Sequence, residues 1–238
     1  MFNILKKKYT TIPKDDFIKR LPSSLIGEGM LHEGNIFLFD LALRNMPSEG
    51  AVIEIGCYGG LSTNLICYFL RKYSLQNPFF GTDLWIYEGY HDEIGLETDW
   101  MDGRNDILRT DFMRHIKNSF INSTLLLSKD NLPNTCHLSS FDFFEKWLNN
   151  ETIEDVFGRD AALGGSISFA YVDGNHAFEF VKKEFEYIDQ FLIPKGFILF
   201  DDSRVDSKFG SAKFMKEMLQ NVDYKLVMKN PNFLFQKK

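Results

Sequence analysis

The chain has 238 residues, 44% hydrophobic and 25% charged, which is enough for one sizeable core and close to globular averages, so wholesale disorder is excluded. Its 27 Lys and Arg against 33 Asp and Glu leave a net charge of −6, the wrong balance for a nucleic-acid binder. No stretch approaches the roughly 18 apolar residues of a membrane span. Lys6-Lys7-Lys8 is followed by neither an apolar segment nor a cleavage site, against a secretory signal, and Cys57, Cys67 and Cys136 lack metal-ligand spacing and fit a reducing cytoplasm.

In chain order, residues 1–34 carry Pro13, Pro22, Gly27, Gly29 and Gly34 and are expected to form an N-terminal extension. Ile36, Phe37, Phe39, Leu41 and Leu43 give Asn35–Met46 helical spacing, so extension and helix fill 1–49 and a single domain is expected over 50–238. Ala51–Ile55 is a buried strand ending at Gly56, Leu61–Tyr73 a helix and Phe79–Asp83 a second strand. Residues 84–134 break the alternation. They hold Trp85, Tyr87, Tyr90, His91, Trp100 and a helix over Arg104–Phe120, and are expected to act as a lid or substrate loop. A weak third strand follows at Thr135–Leu138 and a strong fourth at Ile167–Asp173. The helix over Phe178–Leu192 is expected to stop at Pro194 and Gly196. A fifth strand, Phe197–Phe200, a helix, Ser211–Leu219, and a hairpin of Tyr224–Met228 and Phe233–Gln236 complete the chain. Strand–helix alternation of this kind predicts an α/β fold with a mainly parallel sheet.

Each expected parallel strand ends in a residue able to bind something: Glu54 and Gly56, Asp83, Ser139-Ser140, Asp173, and Asp201-Asp202. Open α/β sheets bind ligands at that edge, and acids converging there repel one another unless a cation or a cationic ligand intervenes. Helix capping is the bland alternative; it accounts for one or two of these acids but poorly for the Asp201-Asp202 pair. The first turn, Glu54-Ile-Gly56-Cys-Tyr58-Gly59-Gly60-Leu-Ser62, departs from the dinucleotide fingerprint because Tyr58 stands where a second glycine is required, and it has no P-loop lysine. A turn built for neither pyrophosphate nor triphosphate suits a nucleoside without phosphates.

EIGCYGGLS resembles the first motif of class I S-adenosylmethionine-dependent methyltransferases, in the form found in catechol-type and macrocin-type O-methyltransferases. FAYVDGNHAFEFV and FLIPKGFILFDDS resemble the metal-binding half of that family. The resemblance spans roughly 50–83 and 135–236. It implies a Rossmann-like, mostly parallel seven-stranded sheet with helices on both faces, and methyl transfer from S-adenosylmethionine to a hydroxyl of a small molecule. A sugar or glycosylated metabolite is the first expectation and a phenol the second; neither nucleic acid nor membrane is expected as a partner, and a homo-oligomer is compatible. The resemblance places Glu54, Gly56, Tyr58, Gly60 and Ser62 around the methionine part of the cofactor, Asp83 on both ribose hydroxyls, and Ser139 or Ser140 beside the adenine. Asp173, Asp201 and Asp202 match the family's Mg²⁺ ligands, hard oxygen donors at the familiar separation, with a helix cap and a solvated pair as the alternative. His176 stands where catechol-type enzymes keep a lysine base; it, or Asp173, would take the proton, although a lone histidine is as often a structural hydrogen-bonder. His91, Asp92 and Glu93 are better read as a polar loop than as a second metal cluster. The rivals are a metal-independent methyltransferase and a non-catalytic binding module of the same fold.

Overall fold

The computed structural model describes residues 9–24, 30–86 and 108–238. Its centre is β1 (Ala51–Ile55), flanked by β2 (Phe79–Thr82) and β6 (Ile167–Val172). β3 (Asn134–Cys136), β7 (Leu192–Phe200), β8 (Tyr224–Lys229) and β9 (Phe233–Lys237) complete a seven-stranded sheet in the order β3-β2-β1-β6-β7-β9-β8. The first five strands in that order are parallel, and β9 runs antiparallel to both β7 and β8. β4 (Thr152–Glu154) and β5 (Asp160–Ala162) form a separate small hairpin.

β1 and β6 are buried along their whole length, so both sheet faces are apolar, as helices on each side require. On one face α1 (Asp16–Ser24), α2 (Glu33–Asn45) and α3 (Leu61–Lys72) bury Leu38, Phe39, Leu65 and Phe69 against Phe169 and Tyr171. On the other, α5 (Ser140–Leu148), α6 (Phe178–Phe191) and α7 (Gly210–Met218) bury Phe143, Trp147, Val181 and Phe214 against Ile53 and Phe200. Among the described residues no helix is long and apolar enough to cross a membrane.

Several boundaries differ from the sequence expectation. The helix expected over Arg104–Phe120 is α4 (Arg109–Leu127), which buries Met113, Ile116 and Phe120 against Cys57 and Trp85. It is the crossover from β2 to β3, so this part of 84–134 continues the alternation; residues 87–107 of the expected lid lie outside the described residues. Pro194 and Gly196 do not terminate α6. They lie inside β7, where the pairing with β6 skips from Leu192 to Phe197 and Lys195 has φ +67; the irregular pairing accommodates a proline that a regular ladder would reject. α1, α5 and the β4–β5 hairpin were not expected. α5 has a readable start, since Ser139 accepts from Asp142 N at its N-cap.

Candidate active site

The site lies along the carboxyl edge of the sheet, where β1, β2, β3, β6 and β7 end. Its first half is the turn from β1 into α3. Gly56 has φ +85, and a Cβ there would lie 2.0 Å from Asp173 O, so the turn sits directly on the end of β6 and only glycine fits. Gly60 has φ +91 as the N-cap of α3. Tyr58, at φ +43, adopts the left-handed region without being glycine, a strain of about 1 kcal/mol.

Asp83 holds this turn in place. Its Oδ2 accepts from the backbone N–H groups of Cys57 and Tyr58, both at 2.8 Å, and its Oδ1 from Trp85 N at 2.6 Å. Two donors fill Oδ2, so only Oδ1 retains capacity for another. Burial raises the Asp83 carboxyl pKa while the three amides pull it down. The Trp85 indole donates to Tyr58 O at 3.1 Å, so the same segment grips the turn twice. Ser123 of α4 donates to Gly59 O at 3.4 Å.

Glu54 points under the first turn of α3 and is completely buried. Thr63 Oγ1 donates to its Oε2 at 2.5 Å, and Oε1 has no hydrogen-bond partner. Burial pushes this carboxyl up to about 7. Ser62 is buried on the same helical turn. Ser139 spends its hydroxyl on capping α5, accepting from Asp142 N at 3.1 Å and donating to Asp142 Oδ2 at 2.6 Å.

The second half collects Asp173, Asp201, Asp202 and His176 from the ends of β6 and β7. Tyr171 OH donates to Asp173 Oδ2 at 2.9 Å. Asp201 is buried and its Oδ1 accepts from the side-chain amides of Asn35 and Asn232. Burial and the neighbouring Asp201 hold the Asp173 carboxyl well above the usual range, and burial with the Asp202 charge raises that of Asp201. His176 Nε2 lies 3.8 Å from Asp173 Oδ1 and 3.7 Å from Asp202 Oδ2. Its ring is backed by Phe209, with centroids 5.1 Å apart. The start of α7 is stitched over this corner: Ser211 N donates to His176 O at 3.1 Å, and Ser211 Oγ to Asp202 O at 3.0 Å.

The structure therefore brings the three acids and His176 to one corner and Glu54, Gly56, Tyr58, Gly60, Ser62 and Asp83 to the adjoining turn. Among the described residues, no group of three or more His, Cys, Asp or Glu side chains converges in a way that could hold a metal ion. The Asp201 charge bears directly on the Asp173 carboxyl, but the acids are not arranged as a finished metal centre. Sequence reasoning missed Asn35, Asn232 and Tyr171. Two isolated asparagines and a strand tyrosine carry no motif, and only the fold brings them to Asp201 and Asp173.

Strand order, a glycine turn after β1 and acids at the ends of β2, β6 and β7 define a class I S-adenosylmethionine-dependent methyltransferase fold. A family model described as a methyltransferase domain matches residues 53–203, and the chain belongs to that family. Similar solved structures include the O-methyltransferase TomG from Streptomyces achromogenes, involved in tomaymycin synthesis and solved with S-adenosylmethionine. It is 12% identical with TM-score 0.55, over 95% of this chain and 92% of that one. An O-methyltransferase from Bacillus cereus, solved with S-adenosylhomocysteine, is 14% identical with TM-score 0.54, over 95% and 93%. CalS11, a TDP-rhamnose 3'-O-methyltransferase of calicheamicin biosynthesis, is 15% identical with TM-score 0.51, over 96% and 88%. At these identities the likeness is one of fold. No curated protein matches the chain.

Proposed function

We propose that the chain transfers a methyl group from S-adenosylmethionine to a hydroxyl oxygen of a small molecule, assisted by a divalent cation such as Mg²⁺. The observation that carries this is the corner formed by Asp173, Asp201 and Asp202. Three carboxylates sit beside the glycine turn, with His176 as the one basic side chain in ion-pair reach of Asp173 and Asp202 among the described residues. Acids brought together around a buried Asp201 repel one another, and a shared proton or a cation relieves that repulsion; hard oxygen donors suit Mg²⁺. When bound, such a cation supplies Lewis-acid activation and orientation of the acceptor hydroxyl.

The chain's own residues do the rest. The turn of Gly56, Tyr58 and Gly60 gives the methionine part of the cofactor close backbone approach, with Ser62 and the orphaned Oε1 of Glu54 nearest its polar end. Asp83 offers the ribose its one open Oδ1 position while keeping the turn in shape. Ser140 and the Ser139-capped start of α5 border the adenine side. His176 is the proton acceptor for the hydroxyl, its Nε2 lying 3.8 Å from Asp173 Oδ1 and 3.7 Å from Asp202 Oδ2; Asp173 is the alternative acceptor. A sugar hydroxyl is the favoured target, supported by the fold likeness to CalS11, and a phenol the second.

A metal-independent methyltransferase remains the rival, favoured because no three acids or histidines among the described residues converge as metal ligands. S-Adenosylhomocysteine formation over a panel of sugar and phenol acceptors separates the two. EDTA should abolish turnover and Mg²⁺ restore it, whereas full turnover after metal removal selects the rival.

A further inference from the structure

After Asp83, whose N–H donates to Cys136 O at 3.2 Å, the chain turns through Leu84 into Trp85, which has φ +48. A bulky side chain avoids that left-handed region, so the conformation persists only where contacts over-determine it. Two of those contacts belong to the β1–α3 turn and its acid: Trp85 N donates to Asp83 Oδ1 and the indole to Tyr58 O. Others come from α4 and from the residue that follows β3. Phe120 packs on the indole, with ring centroids 5.4 Å apart. Lys117 Nζ stands 5.3 Å from the Trp85 ring centroid, and the His137 ring meets the indole edge-on at 5.5 Å.

Lys117 and His137 are also bonded to each other. His137 Nε2 lies 3.0 Å from Leu84 O, and its Nδ1 lies 2.8 Å from Lys117 Nζ. A carbonyl only accepts, so Nε2 carries the proton, and Nδ1 of the neutral ring accepts from the ammonium. The histidine thus spends one nitrogen on the backbone of Leu84 and the other on aiming Lys117 at the indole. Asp83, Leu84 and Trp85 are pinned in succession, and Asp83 and Trp85 in turn hold the backbone of Cys57 and Tyr58. An apolar residue at 117 would cover the indole without the desolvation that lowers the Lys117 ammonium pKa, which the nearby Asp83 charge opposes. What the lysine adds is a positive charge, drawn both to the ring face and to the carboxylate that orders the turn.

We infer that Lys117 and His137 are positioning residues for the cofactor: through Trp85 and Leu84 they hold Asp83 and the β1–α3 turn in the shape that receives the nucleoside, so α4 is a working part of the cofactor site. The inference rests on the assignment of Asp83 and the glycine turn to S-adenosylmethionine and is independent of any cation at the acidic corner. The test uses the full chain, with S-adenosylhomocysteine binding by calorimetry and thermal unfolding. Lys117→Met keeps the length of the side chain and removes its charge. It should weaken S-adenosylhomocysteine binding by about 5-fold or more, the scale of one desolvated cation–ring contact, while unfolding stays cooperative. Lys117→Arg keeps a cation over the ring and should bring affinity back to within about twofold. His137→Phe keeps an aromatic edge on Trp85 without either ring nitrogen. It should match the loss in Lys117→Met, and the double variant should be no worse than either alone, as for residues that act as a unit. Packing alone predicts the opposite order, with Lys117→Met neutral and the bulkier Lys117→Arg the weaker binder. That order, or unchanged affinity in Lys117→Met, overturns the inference. Should Lys117→Met not fold, Lys117→Gln, polar and uncharged, must show the same loss relative to Lys117→Arg. If the unsubstituted chain itself does not bind S-adenosylhomocysteine, the assignment of the turn falls, and this inference with it.

Discussion

The two halves of the site solve different problems. The β1–α3 turn is held by backbone bonds: Asp83 takes three amide protons and Trp85 and Ser123 hold two carbonyls. Its shape is set before any ligand arrives. The corner at the ends of β6 and β7 is held by side chains, Asn35, Asn232 and Tyr171, and those bonds keep like charges close together. The first half is preorganised in shape, whereas the second keeps an electrostatic conflict that a proton or a cation must relieve. Binding and chemistry should therefore respond separately to mutation and to metal.

The largest expected effect joins the halves. Gly56→Ala places a Cβ against the end of β6 at a φ that alanine resists. It should cost about 2–5 kcal/mol of stability, read by chemical denaturation; a loss under about 1 kcal/mol would mean that the turn yields readily. Next comes the acidic half alone. Asp201→Asn should lower methyl transfer by about 10²-fold or more, because a Lewis acid contributes several kcal/mol, in a single-turnover assay with saturating cofactor. Near-normal rates would show that the corner is not used in the chemistry. The cofactor half answers through Asp83→Ala, which loosens the turn and removes an acceptor from the nucleoside site. S-Adenosylhomocysteine affinity should fall by roughly 2–3 kcal/mol, and undiminished affinity by calorimetry would detach Asp83 from binding.

A pH dependence of stability probes the buried acids outside the corner. Burial raises Glu54 from 4.5 to about 7 and Glu184 from 4.5 to about 8. The native state therefore binds these protons more tightly than the unfolded chain. The stability they lend is complete below pH 4.5 and is lost as pH rises through 7 and 8. Each kcal/mol lost lowers the melting temperature by about 2–4 °C at this chain length. Glu184→Gln should flatten the upper part of that decline, and an unaltered pH profile would remove Glu184 as its source.

The same contrast separates what the sequence reveals from what it hides. β1 is legible to the residue because a strand buried on both faces is an uninterrupted apolar run. The glycine turn and the strand-end acids are legible because close backbone approach and charge each demand particular residue types. The start of β7 is hidden by Pro194 and Gly196, which signal a stop yet are absorbed by irregular pairing. α1 is masked by Pro13 before it and Pro22 within it, and β4 and β5 are too short for alternation to register. The preorganised half was thus readable as a motif. The network around Asp201 joins residues 197 positions apart and exists only once the sheet is assembled. The occupancy of Asp83 is hidden in the same way, since only the folded β1–α3 turn brings three backbone amides to its carboxylate.

The separability of the halves is tested most directly by calorimetry on EDTA-treated protein, unsubstituted and as Asp201→Asn, titrated first with S-adenosylhomocysteine and then with Mn²⁺. The account predicts that both proteins bind S-adenosylhomocysteine without metal and with similar affinity, and that only the unsubstituted chain then binds Mn²⁺. Loss of S-adenosylhomocysteine binding in Asp201→Asn, or the same Mn²⁺ response in both proteins, would contradict it.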